Sequence, residues 1–216
     1  KPHSIIEINK QAPVLTISLI SIMVITLISL LQPEWAKTVF IGARRWSVIN
    51  LDWLFMMSAN FLLILSLVLA ISPFGKKRLG NSPKEFSNLA WISMVLTTGF
   101  GLTLVFWSVA EPAAFYSDWW GIPFNQAANT PAAAELALSA SLYHWGLHPW
   151  AIYGMTALAI AYASYNKALP LKLSSAFYPV LKYGAGKKVA IFIDSLAVIA
   201  TLLGVATTMG LGARQA

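Results

Sequence analysis

Ten consecutive residues, His144-Trp145-Gly146-Leu147-His148-Pro149-Trp150-Ala151-Ile152-Tyr153, hold three large aromatic rings, two histidines and a proline. On one continuous helix at 100° per residue, Trp150 lies about 140° and Tyr153 about 80° around from Trp145. The three rings then share a face less than half a turn wide. Pro149 cannot donate a backbone hydrogen bond to the carbonyl of Trp145 and is expected to kink the helix there. Three π-faces around a bend in a low-dielectric site suit a cation without hydrogen-bond donors. A quaternary ammonium is such a cation, and each desolvated cation–π contact is worth about 2 kcal/mol or more. Interfacial or packing aromatics are the other reading these residues allow. His144 and His148 stand at i and i+4, a spacing that can hold a metal. No Glu follows the first and no third ligand lies nearby, so both read as packing histidines, with no transition-metal site and no membrane metalloenzyme built on them.

A second stretch, Thr97-Thr98-Gly99-Phe100-Gly101-Leu102-Thr103, sets glycines two apart in an apolar run that closes at Glu111-Pro112. Glycines so spaced let a ligand or another backbone approach the main chain closely. Unwound carbonyls of this kind coordinate ions in broken-helix transporters, and close helix packing uses the same residues. Glu111, next to a proline at an expected helix end, reads as part of a structural turn. Asp194 stands near the expected start of the last apolar run, where an acid complements the helix dipole. Capping is its expected role.

The elements that carry these residues follow from composition. Of 216 residues 57% are hydrophobic and 11% charged, with a mean hydropathy of +0.66; an ordinary soluble domain is roughly a quarter charged. A bilayer core about 30 Å thick needs about 20 apolar helical residues. Five stretches qualify: Val14 to Leu31, Asp52 to Ile71, Leu89 to Ala110, Glu135 to Tyr165, and Val189 to about Gly212. Open sheet edges cannot sit in lipid, so the fold class is all-α integral membrane, one transmembrane region over residues 1–216. The absence of cysteine excludes disulfides and thiolate metal sites.

The net charge of +7 is distributed by loop. Lys1 and Lys10, then Lys76, Lys77, Arg78 and Lys84, then Lys167, Lys172, Lys182, Lys187 and Lys188 fall on one side, eleven of fifteen basic residues. The positive-inside rule makes that side, and the N-terminus, cytoplasmic. Topology explains the charge, and nucleic acid is not needed as a partner. Trp35, Trp46, Trp53, Trp91, Trp119 and Trp120 lie near helix ends and fit interfacial belts.

Together these segments resemble the betaine/choline/carnitine transporter family. The resemblance rests on the basic loop Lys76-Lys77-Arg78-Leu79-Gly80 … Pro83-Lys84-Glu85-Phe86-Ser87 and on Gly99-Phe100-Gly101 … Phe106-Trp107 … Ala110-Glu111-Pro112. It rests also on His144 to Tyr153, the most specific of the set, and on Asp194 with Ala200 to Thr207 and Gly210-Leu211-Gly212. It implies a bacterial inner-membrane symporter for osmolytes and no enzyme. It also implies a leucine-transporter-like fold of two inverted five-helix repeats behind two extra N-terminal helices, commonly trimeric. It assigns Trp145, Trp150 and Tyr153 to an aromatic box for a small onium solute (betaine, choline, carnitine or methylamine type). Gly99, Gly101 and Thr103 would lie beside the substrate, and Thr103 stands where sodium-coupled betaine carriers have a third glycine. Backbone carbonyls of Thr97 and Phe100 would help hold one sodium ion and the Thr201 hydroxyl another. Val205 stands where such carriers have a second threonine and offers no oxygen. Sodium-driven alternating access is the leading expectation; proton coupling, substrate exchange, and a truncated non-transporting subunit or sensor are the alternatives. Five helices account for part of such a carrier, so the chain is expected to be a piece of a longer one and unable to transport alone.

Overall fold

The structure, a computed structural model, describes residues 5–81, 83, 85–99, 102–117, 126–181 and 186–213. The described residues contain no strand. The helices are α1 (Ile5–Leu31), α2 (Pro33–Ile71), α3 (Asn88–Gly99), α4 (Leu102–Tyr116), α5 (Pro131–Trp145), α6 (Leu147–Ala161), α7 (Leu173–Ala176), α8 (Tyr178–Leu181) and α9 (Gly186–Ala213). A 3₁₀ turn, Pro73–Lys76, follows α2, and a π-helical turn, Tyr162–Asn166, follows α6. Three segments are long and apolar enough to cross a membrane among the described residues: Ala12–Leu31, Pro33–Ile71 and Gly186–Gly210.

Several boundaries differ from those read in the sequence, for local reasons. Pro13 lies inside α1, which runs back to Ile5. The first helix ends at Leu31 as expected, and Pro33 also opens α2: its missing N–H is harmless in the first turn, and Glu34 beside it complements the dipole. The segment with Lys37, Arg44 and Arg45 is therefore helical. At 39 residues α2 measures about 58 Å, nearly twice a hydrocarbon core of about 30 Å. Its polar first half is an extension of the spanning part. Likewise α4 continues through Pro112 to Tyr116, so Glu111-Pro112 is no turn. Helix α5 begins at Pro131, four residues before Glu135, because Thr130 caps it: Thr130 Oγ1 accepts the Ala133 amide at 3.2 Å.

The chain divides into two compact units. Unit 1 holds residues 1–58 and 156–207. In it α1 meets α9 at Ser18, 1% exposed, whose hydroxyl points to the Ser195 carbonyl at a long 3.5 Å. Asp194, expected to cap its own helix, is instead eight residues inside α9 and buried. Its carboxylate accepts the Ser174 amide and hydroxyl, both at 2.9 Å, and pairs with Lys172 Nζ at 3.0 Å. It caps α7, a helix too short to show any period in the sequence.

Unit 2 holds residues 59–155 and 208–216, and in it α4 packs along α5. Ala133, Ala137 and Ser141, buried at every fourth position of α5, and Glu111 and Ala114 on α4 are all small but one. Small residues let membrane helices approach closely, since lipid leaves little hydrophobic drive between them. Across the described residues every fully buried hydrophobic side chain is an alanine, while the larger apolar side chains are half-buried or exposed. Hydroxyls inside the helices bond their own backbone, as in Ser29 to Ile25, Ser141 to Ala137 and Thr207 to Leu203.

Candidate functional site

The kink expected at Pro149 is a helix break three residues earlier. Helix α5 ends at Trp145, Gly146 takes φ −83° and ψ −140°, and α6 starts at Leu147. Gly146 is required there, because a β-carbon would run into the carbonyl oxygen of Leu142. Pro149 falls in the first turn of α6, where its missing N–H is tolerated. The Trp145 carbonyl, which Pro149 cannot serve, accepts the indole N–H of Trp150 at 3.1 Å. The break removes the single continuous helix on which the projection of Trp145, Trp150 and Tyr153 onto one face rested. Trp150 and Tyr153 remain neighbours on α6, their ring centroids 6.4 Å apart, 46% and 70% exposed. Trp145 stands across the break at the end of α5.

A residue read as a turn former anchors the site. Glu111, in mid-α4, is only 6% exposed. Its Oε2 accepts the Trp145 indole N–H at 2.7 Å, and its Oε1 contacts Nδ1 of His144. A buried carboxylate has to be compensated, and these two donors, consecutive in the chain, compensate it. The charge-free run before Glu111 carried the signal that would have found it; Pro112 masked that signal by looking like a stop. His148 packs as expected, its ring 4.2 Å from that of Tyr143 and its Nε2 3.2 Å from Asn60 Oδ1. No group of metal-ligating side chains occurs among the described residues.

The ion-site candidates are partly visible. Thr97 Oγ1 donates to the Ser93 carbonyl at 2.7 Å and Thr201 Oγ1 to the Ala197 carbonyl at 2.8 Å. Those bonds commit each hydroxyl hydrogen and leave oxygen lone pairs outward. Gly99 ends α3 and Thr103 lies in the first turn of α4. The Thr103 side chain, together with Phe100 and Gly101 entirely, lies outside the described residues.

Long apolar helices that bury only small and polar side chains define an integral membrane protein. Comparison with known proteins identifies which kind. The family model described as BCCT, betaine/carnitine/choline family transporter, matches residues 13–216. The chain belongs to that family, whose members are transporters and not enzymes. It is 47% identical over 189 residues to glycine betaine transporter 1 of Vibrio parahaemolyticus, covering 86% of this chain and 36% of that protein. It is 44% identical to a glycine betaine/proline/choline/ectoine transporter of the same organism, covering 90% of this chain and 35% of the relative. An ectoine/hydroxyectoine transporter of Virgibacillus pantothenticus is 33% identical, with 94% and 40% covered. The chain thus spans between a third and two fifths of the length of these relatives.

Proposed function

We propose that this chain forms the first part of a secondary carrier that moves quaternary or related ammonium compounds across a bacterial inner membrane by alternating access. The observation that carries this reading is the broken helix at Gly146, with Trp145 on one side and the Trp150–Tyr153 pair on the other. Aromatic faces beside a break in low dielectric attract a cation that cannot donate hydrogen bonds. The substrates in the relatives' names favour the same chemistry, betaine and choline being trimethylammonium compounds. The rest of the proposed machine is an inverted-repeat fold, a homotrimer and a cytoplasmic N-terminus.

Sodium is the proposed coupling ion, carried as a second substrate. The outward lone pairs of Thr201 suit a hard cation, and the main chain at Thr97 and Phe100 would serve a separate site. Valine at 205 removes one side-chain oxygen from the Thr201 site, so coupling there would be weaker than in a carrier with two threonines.

Equilibrium binding to the protein that carries this chain at full length tests the reading. Glycine betaine and choline are expected to bind, more tightly in sodium than in potassium. Trp150→Ala should weaken both by about 2 kcal/mol or more. Unchanged affinity in that variant would return Trp150 to a packing role.

A further inference from the structure

We infer that Glu111 is a positioning residue for the substrate box: its carboxylate holds the Trp145 indole by the N–H edge and leaves the ring face to the cation. The inference rests on the onium-carrier reading above and deepens it. Both carboxylate oxygens are engaged by the last two residues of α5, Oε1 by His144 and Oε2 by Trp145 at 2.7 Å, immediately before the break at Gly146.

A purely structural role explains this poorly. An apolar residue would close the α4–α5 seam at least as well, since a buried charge needs compensation that packing does not. The α5 C-terminus, the negative end of its dipole, is also an unfavourable place for an anion to stabilise a helix. What the carboxylate does there is aim two side chains. The second box tryptophan is fixed by the same device, because its indole N–H is held by the Trp145 carbonyl at 3.1 Å. Trp145 therefore gives its N–H to Glu111 and its carbonyl to Trp150, and both indoles are anchored by their polar edges. A carboxylate accepting an indole N–H also pushes electron density into the ring, which deepens the negative face a cation meets.

The test is a double-mutant cycle between Glu111→Gln and Trp145→Phe in the full-length protein, reading the affinity for glycine betaine and the KM and maximal rate of uptake in proteoliposomes. Phenylalanine keeps a ring face and removes the N–H. Each single variant is expected to weaken binding about tenfold, as for loss of one charged hydrogen bond. Each should raise KM while keeping the maximal rate within about twofold, a split that simple loss of folded protein does not give. The double variant should be no weaker than Trp145→Phe alone, because the carboxylate acts through that N–H. Wild-type affinity in Glu111→Gln, or effects that multiply in the double variant, would overturn the inference. If Glu111→Gln cannot be purified, wild-type affinity in Trp145→Phe overturns it equally. Trp150→Ala separates the two readings: if it weakens binding while Glu111→Gln does not, only the positioning role falls. If Trp145→Ala and Trp150→Ala both bind as wild type, the onium box itself falls.

Discussion

A carboxylate, a glycine and two indoles do most of the work around the break between α5 and α6. Gly146 lets the chain turn, and Pro149, which has no N–H, leaves free the Trp145 carbonyl that the Trp150 indole then occupies. Gly146→Ala should drive a β-carbon against the Leu142 carbonyl and cost roughly 2 kcal/mol, read as a lower Tm in detergent and weaker glycine betaine binding together. Ring types were legible as chemistry from the sequence, whereas Gly146 was passed over in favour of Pro149. The geometry of the rings was not legible, because a proline marks a lost hydrogen bond but does not say which turn accommodates it. Glu111 was misread for a related reason: its partners stand 33 and 34 positions away, and nothing local in the sequence pairs them.

At the scale of elements, apolar length was the reliable signal and proline the unreliable one. Each of the five apolar stretches is helical over its described residues except at Gly146, while Pro13, Pro112 and Pro33 lie within or at the start of helices. Lost backbone bonds are tolerated where neighbouring groups or a first turn absorb them. The connection between α6 and α9 was opaque, since four-residue helices carry no period. Asp194 organises it by tying α7 to α9. Asp194→Ala should leave the buried Ser174 amide and hydroxyl without acceptors, a cost of about 1–3 kcal/mol for each unsatisfied group, seen as faster hydrogen exchange over residues 173–176. Lys172 is 40% exposed, so Lys172→Ala should cost no more than about 1 kcal/mol and leave that exchange nearly unchanged. Equal effects of the two variants would mean that the ion pair, not the cap, holds α7.

For the molecule as a whole, charge and hydropathy were enough to read a multi-pass membrane protein, and the family motifs named its kind. The proposed orientation follows from the basic loops. The chain has no cysteine, so single cysteines report it cleanly: Lys77→Cys should react with impermeant maleimide from the cytoplasmic side and Lys37→Cys from the opposite one. The reverse pattern would invert the topology. Because the chain spans little more than a third of its relatives, vesicles holding residues 1–216 alone should take up no labelled glycine betaine.

The alanine-and-serine interior has an evolutionary corollary. In a water-soluble protein the surface drifts and the large-residue core is held fixed, whereas here the freedom to vary should be reversed. Leu30, 73% exposed, should accept Val, Ile or Ala almost silently in a saturation screen for surviving folded protein. Ala137, whose whole side chain is one methyl group at the α4–α5 seam, should reject Leu at a cost of about 1–3 kcal/mol. Selection on this chain would then be written mainly in its smallest residues.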